Sequence, residues 1–455
     1  MKKELLNKYS IPVPRYTSYP PANFFNDSFT AESYKKAVIA SNEQDPQHIS
    51  FYVHIPFCYH MCYYCGCNSQ IMREKEYVNG YIEALKKEIR MVLPLLDHNR
   101  KIAQIHYGGG TPTSQPVSVF KELNQLFLLE FDCIENLEIA IECHPGYMDE
   151  QYWHDLTEAG FNRISIGIQD FNEQVLKVVN RKHAILAIED IIKTLREKDM
   201  SVNMDFIYGL PLQTPDSFSE TIKKAVELKP DRIVAFSYAH VPWVNQLQKK
   251  LEEKGLPTVE LKNEIYERSK DILLRSGYKS IGLDHFVMPE DELYDALLTK
   301  KLHRNFQGYC TRRTTGQVYA FGITGISQLA TAYSQNTKDI DTYIDMINNC
   351  EYPIAKGYAL NEDQQITRTV ISELMCNNRI NWKEIADDLH LTVERIKSAL
   401  RYNTSDLGNF AKDGIIHYSE DEINILDGAT PFVRNVAASF DKMLDKSNTN
   451  YSKAI

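Results

Sequence analysis

Residues 51–67 read FYVHIPFCYHMCYYCGC. An apolar run ends in four cysteines spaced C-x₃-C-x₂-C-x-C. Extended backwards to HISFYVHI (48–55), the run predicts a strand, and the thiols sit on the loop that follows it. The chain has 455 residues and nine cysteines, and the other five (Cys133, Cys143, Cys310, Cys350, Cys376) are scattered. Four bunched thiols point to metal or redox chemistry rather than a disulfide framework. A zinc ribbon would need a second Cys-x₂-Cys knuckle, and the rest of the chain has none.

Working outward, the strand opens an alternation. Strands are expected at KIAQIHY (101–107), LEIAIEC (137–143), NRISIGIQ (162–169), VNMDFIYG (202–209) and RIVAFSY (232–238). Amphipathic helices fall between them, over 74–96, 117–129, 149–160, 184–198 and 215–228. Short β-branched runs alternating with helices mean βα units on a parallel sheet. Six units are two short of a closed eight-fold barrel. The expected fold is therefore α/β, a partial (β/α)6 barrel that is either completed by divergent elements or open on one side. Residues 1–46 read as an irregular N-terminal arm, because three prolines and four aromatics in 13–25 exclude a regular helix or central strand. The core spans 47–245. Residues 246–358 form an extension with substrate-covering segments, and 282–310 read as mostly irregular. Residues 359–455 read as a mainly helical, winged-helix-like C-terminal domain.

Composition narrows the function. The formal net charge is −10, which argues against nucleic-acid binding through bulk electrostatics. Residues 360–455 carry eleven Lys and Arg against fifteen Asp and Glu. The winged-helix outline thus lacks the basic surface a DNA reader needs. The N-terminus MKKELLNKYS has no apolar signal region, and no run reaches the roughly 18 residues of a membrane span. A cytoplasmic protein is expected, and nothing demands an oligomer.

Functional groups of parallel α/β folds gather at the carboxyl ends of the strands. Here those ends present Cys58, the glycine loop YGGGTPT (107–113), Glu142, Gln169, Asp205 in the fifth strand, and Ala239 with His240. Glycines let backbone groups approach a ligand closely. Tyr52 and His54 share one strand face, and His54 reads either as a hydrogen-bonded core histidine or as a group beside the thiols.

The C-x₃-C-x₂-C spacing, with the aromatic Tyr64 before the third cysteine and the GGGTP loop (108–112), is similar to that of the radical S-adenosylmethionine (SAM) superfamily. More narrowly, the chain resembles the oxygen-independent coproporphyrinogen III dehydrogenases. The resemblance runs through PRYTSYP (14–20), YVHIPFC…C..CGC (52–67), GGGTPT (108–113), GFNRISIGIQDF (160–171), DFIYGLPLQT (205–214), YAH (238–240), LDHF (283–286) and LHRNFQGY (302–309). It implies a [4Fe–4S] cluster held by Cys58, Cys62 and Cys65, with one iron left open for SAM. It implies two SAM molecules. Tyr52, Gly109, Glu142 and Ile326 match contacts of the first. Tyr64, Gly110, Thr111, Gln169, Arg181, Asp205 and Ala239 match contacts of the second. The implied reaction is oxidative decarboxylation of the ring A and B propionates of coproporphyrinogen III to vinyl groups in haem biosynthesis. A low-potential electron donor and an electron acceptor are implied but not identified. Cys67, one residue beyond Gly66, reads as a catalytic thiol at the edge of the site. Arg15, Tyr16, His303, Arg304 and Tyr309 are expected to close over the substrate and pair with propionates. The alternatives are a haem chaperone or a haem-modifying enzyme of the same superfamily; relatives of the chaperone type lack the PRYTSYP arm and usually replace the fourth cysteine by phenylalanine. One departure is Cys143-His144, where family members carry Val-Asp. Strand alternation turns Cys143 away from Glu142.

Overall fold

The computed structural model describes residues 3–243, 245–311, 314, 316–444 and 451. Six parallel strands follow the expected order: β1 (Ile49–Ile55), β2 (Ile102–Gly109), β3 (Cys133–Cys143), β4 (Arg163–Gln169), β5 (Ser201–Tyr208) and β6 (Arg232–Ser237). Six of the seven residues of β1 are buried, as expected for a strand covered on both faces. Helix Lys75–Val92 packs on it through Val78, Tyr81, Ile82, Leu85, Ile89 and Val92, the i, i+3, i+4 stripe of an amphipathic helix.

The sheet is larger than six strands. A seventh parallel strand, β7 (Gln317–Phe321), pairs with the outer edge of β1. Strands Ile326–Gln328, Ala332–Asn336 and Ile354–Ala359 extend that edge antiparallel. His285–Val287 and Lys279–Ile281 extend the other edge beyond β6. The two outermost strands do not pair with each other, so the barrel stays open. Residues 282–310 are not irregular as expected. They hold an edge strand, helix Glu292–Leu298 and the hairpin Leu302–Asn305/Gly308–Thr311. Such short strands depend on their partners, and their own periodicity is too brief to register.

At the amino ends of the strands the lumen is plugged by charge. Gln104 and Arg163 donate to Glu138 at 2.6 and 2.7 Å. Arg163 also donates to Asn203 at 3.1 Å, and Arg232 to Asp291 at 2.7 Å. Burial opposes ionisation of Glu138, but Arg163 and Arg232 outweigh it and hold the carboxyl down at about 2. The opposite mouth is left for chemistry.

The arm is also more ordered than its composition suggests. It contains helices Lys3–Tyr9 and Ala31–Ala40, and it divides between two cores. Tyr9, Val13, Tyr16 and Tyr19 complete the apolar core of the C-terminal domain, while Phe29, Tyr34 and Val38 pack on the barrel. That domain sets helix Glu362–Asn377 and four shorter helices around a small sheet of Arg379–Asn381, Glu422–Ile425 and Ile416–Tyr418. No helix among the described residues is long and apolar enough to cross a membrane.

Candidate functional site

The cysteine loop leaves β1 at the carboxyl mouth and is held on every side. The Tyr63 amide donates to Val179 O at 3.0 Å. Asn180 donates to Met61 O, Asn245 to Cys65 O and Gln248 to Tyr64 O, at 2.9, 2.8 and 3.1 Å. Two distant segments thus fix one loop, as ligands of a preorganised site require.

Each thiol has its own neighbour. Cys58 Sγ lies 3.2 Å from the Thr111 hydroxyl. Burial pushes its pKa up to about 11. Arg181 donates to Cys62 Sγ at 3.8 Å, to the Tyr64 hydroxyl at 2.9 Å and to Gly167 O. Burial works against the guanidinium charge, but Tyr64 and Cys62 outweigh it and raise its pKa. The Cys67 thiol hydrogen-bonds Cys65, lowering Cys65 to about 6 while Cys67 itself is driven well up. Among the described residues no three carboxylate, imidazole or thiol groups converge around a single ion. Cys58 still feels the charge of both Cys62 and Cys65. The donor set is three soft sulfurs on one loop, a chemistry that suits an iron–sulfur cluster.

The glycine loop closes under the thiols. The Gly110 and Thr111 amides donate to Ile55 O and Phe57 O at 2.8 and 3.0 Å. A Cβ on Gly110 would stand 2.4 Å from Pro56 O and 2.9 Å from Cys58 Sγ. Gly109 has φ +122°, a conformation side chains rarely adopt. A Cβ on Gly108 would meet Glu142 Oε1 at 2.7 Å, so the loop and the end of β3 are in contact.

The inner face of the strands continues the site. Tyr52 packs beside Glu142, which together with burial drives the phenol pKa well up. His54 Nε2 lies 3.0 Å from Asn68 O, and Nδ1 lies 3.2 Å from the Tyr52 hydroxyl. A carbonyl can only accept, so Nε2 carries the proton and Tyr52 donates to Nδ1. Burial lowers the His54 pKa, and this neutral tautomer results. His106 donates to Glu142 at 3.2 Å, a partner that alternation from Gly108 could have indicated. Ser165 donates to Asp205 at 2.8 Å, and burial raises Asp205 to about 6. Gln169 ends β4 at φ +69°, and its Oε1 is buried with no hydrogen-bond partner. A strained residue with an orphaned acceptor at a strand end marks a ligand position.

The remaining expectations divide. Ala239 follows Tyr238, which shares an apolar cluster with Tyr63 and Tyr64, so it borders the loop. Ile326 packs instead with Phe25, Tyr333, Leu360 and Phe306. It approaches the site only through Thr324, whose hydroxyl accepts from Asn68 at 3.4 Å. Cys143 is buried in the main core and His144 accepts from the Gly146 amide at 3.1 Å; neither faces the thiols as a ligand. Tyr16 does not present a free hydroxyl, because it donates to Asp441 at 3.0 Å. Arg304 stacks on Tyr309, 4.9 Å from its centroid, and its Nε and Nη1 are buried without partners. It borders a cavity of about 310 Å³ together with His303, Tyr16, Tyr333 and Arg368. Burial and then the charge of Arg304 lower the Arg15 pKa, and Arg15 in turn lowers Lys262 and Arg434, each after burial; Arg304 itself is raised, because Tyr309 and Asp284 outweigh its burial. This basic gathering drew residues from four separated segments, and only Arg15 and Arg304 were expected.

Comparison with known proteins agrees with this geometry. The model of the radical SAM superfamily matches residues 52–225. The oxygen-independent coproporphyrinogen III oxidase of Synechocystis is 40% identical, with 99% of this chain and 97% of that protein aligned. The Escherichia coli protein of that name is 37% identical over 97% of this chain and 95% of its own. The solved structure of the E. coli coproporphyrinogen III oxidase, described as a radical SAM enzyme, superposes with a TM-score of 0.89 at 36% identity, covering 97% of this chain and 99% of that one.

Proposed function

The chain belongs to the oxygen-independent coproporphyrinogen III oxidase family of radical SAM enzymes, and from that premise we propose that it converts the ring A and B propionates of coproporphyrinogen III to vinyl groups, giving protoporphyrinogen IX. Cys58, Cys62 and Cys65 hold the [4Fe–4S] cluster. When bound and reduced, the cluster would supply the electron that cleaves SAM to a 5′-deoxyadenosyl radical, the species that removes a hydrogen atom from the propionate β-carbon; loss of CO₂ would then give the vinyl group, with one electron passing to an acceptor outside the chain.

The residues of this chain bind and orient. Tyr52, Gly109, Glu142 and Ile326 serve one SAM molecule. Tyr64, Gly110, Thr111, Gln169, Arg181, Asp205 and Ala239 serve a second. Glu142 and Asp205 accept ribose hydroxyls, Arg181 pairs with a carboxylate, and the Gln169 acceptor receives a donor from the ligand. Neutral His54 holds the Tyr52 hydroxyl. Cys67 delivers or receives a proton at the edge of the site. Arg304, with two buried N–H groups lacking partners, and Arg15 pair with propionates.

The observation that carries this reading is the Cys58 thiol set against the glycine loop, with Cys62 and Cys65 close enough for their charges to act on it. The test is an anaerobic assay of the iron-reconstituted protein with coproporphyrinogen III, SAM and a chemical reductant. Vinyl products with about two SAM consumed per substrate are expected. Tight haem binding without turnover would replace the reading with a haem chaperone.

A further inference from the structure

The proposed reaction needs an electron delivered from outside the chain, and the surface over the cysteine loop shows how it arrives. Tyr59, His60 and Gly66 are exposed, with Cys62 buried between them. The loop therefore sits one layer beneath solvent. Around it the charge runs against that of the chain as a whole. On one side Lys182 lies 4.8 Å over the Tyr147 ring, and Tyr147 meets His60 at 2.8 Å. On the other, Lys250 lies 4.5 Å over the ring of Tyr63. Lys177 stands two residues before Val179, which accepts from the Tyr63 amide. Lys249 and Lys254 flank Lys250. These five lysines are exposed, and no carboxylate among the described residues forms an ion pair with any of them. Of the acids on the same segments (Glu173, Glu252, Glu253), Glu252 is bound to His240 at 2.7 Å. The whole chain has a net charge of −10, so a positive patch here is a local feature.

An aromatic anchor completes the face. Trp243 is 70% exposed, two residues before Asn245, which holds Cys65 O. Tyr59 is 43% exposed and packs on Tyr147 with its ring tilted by 47°. Exposed Trp and Tyr within a ring of cations have the composition of an interface centre with a steering rim.

We propose that this face, formed by Trp243, Tyr59, His60, Lys177, Lys182 and Lys250, docks an acidic one-electron carrier protein that reduces the cluster. The carrier loses one electron and the cluster gains one; no bond is made or broken. This rests on the cluster assignment above. Charge complementarity selects the occupant, because cations in a ring attract an acidic partner and a net-acidic chain otherwise repels it.

The test compares the wild type with Lys182→Glu/Lys250→Glu and with Trp243→Ala, all iron-reconstituted. The probes are a reduced acidic ferredoxin and photoreduced 5-deazariboflavin, a small uncharged reductant. Cluster bleaching is followed by stopped flow, and carrier binding by calorimetry. For the charge variant we expect carrier binding and carrier-driven bleaching to fall about ten-fold or more at low salt, the difference shrinking as salt rises. Trp243→Ala should weaken binding with little change in salt dependence. Bleaching by deazariboflavin should be unchanged in both. Unchanged carrier rates, equal losses with both reductants, or loss instead of binding to anionic phosphatidylglycerol vesicles would overturn the proposal. A failure of the coproporphyrinogen reading is separate, since turnover driven by the small reductant tests it without the carrier.

Discussion

At the scale of single residues, the four thiols are not equivalent. Cys58 feels the charge of both Cys62 and Cys65, whereas Cys67 is engaged with Cys65 as a hydrogen-bond donor. We therefore expect Cys67→Ser to retain about four irons per chain and to lose turnover; iron loss on metal analysis would make Cys67 a ligand instead. Arg304 belongs to the same scale. Its Nε and Nη1 are buried without partners, an arrangement that costs about 1–3 kcal/mol unless a ligand satisfies it. Arg304→Ala should raise the KM for coproporphyrinogen by about ten-fold or more, an estimate from one charge-assisted pair, with iron content unchanged. An unaltered KM and kcat in this variant and in Arg15→Ala would remove both residues from the substrate site.

At the scale of elements, helix Lys75–Val92 is tied to the antiparallel extension by a buried carboxylate. Glu88 accepts from the Gly322 amide, Asn336 and the Tyr343 hydroxyl at 2.7, 2.7 and 2.6 Å. Burial nevertheless raises its pKa from 4.5 to about 7. A folded state that holds the proton longer than the unfolded state loses stability as pH rises. The window runs from the unfolded value to the folded one, and the loss across it approaches about 3 kcal/mol. Glu88→Gln cannot titrate. Its melting temperature should therefore show a flatter dependence between pH 4.5 and about pH 7 than the wild type, even if the variant is less stable throughout. Parallel slopes by anaerobic calorimetry would assign the effect elsewhere. The plug of Glu138, Arg163 and Arg232 behaves oppositely. Glu138 is held at about 2, so its stabilisation is full above the unfolded carboxylate pKa and is lost as pH falls from there through the folded value of about 2.

At the scale of the whole molecule, the N-terminal arm joins the C-terminal domain to the barrel. Tyr16 and Tyr19 donate to the two oxygens of Asp441 at 3.0 and 3.1 Å, and Arg434 donates to Val13 O and Pro14 O. Because Tyr16 is the neighbour of Arg15, this anchor also positions a proposed propionate partner. Asp441→Ala leaves two buried hydroxyls unpaired, a cost of about 1–3 kcal/mol for each. We expect a lower melting temperature, faster proteolysis near the arm and a raised KM, with the cluster retained. Normal proteolysis and KM would show that apolar packing of the arm suffices.

What was legible from the chain alone follows from range. The six βα units declared themselves through local periodicity, and the four bunched thiols through their place on one loop; both signals lie within a few residues. The glycine loop and the strand-end groups Glu142, Gln169 and Asp205 could be placed because alternation sets which face of a strand a residue occupies. Nothing local announced β7, a five-residue run whose hydrogen-bond partner lies far earlier in the chain. Nor did anything local show that Tyr9 and Tyr16 complete a core made by residues 366–440, that Arg304, Lys262 and Arg434 gather around Arg15, or that Ile326 packs against the cluster of Phe25, Tyr333 and Leu360. The sequence by itself determined the chemistry of the cysteine loop and the sheet that carries it, because those depend on nearest neighbours along the chain. The tertiary structure decided where the barrel stops, what closes it and which cations surround its mouth, because each of these depends on contacts between residues remote in sequence.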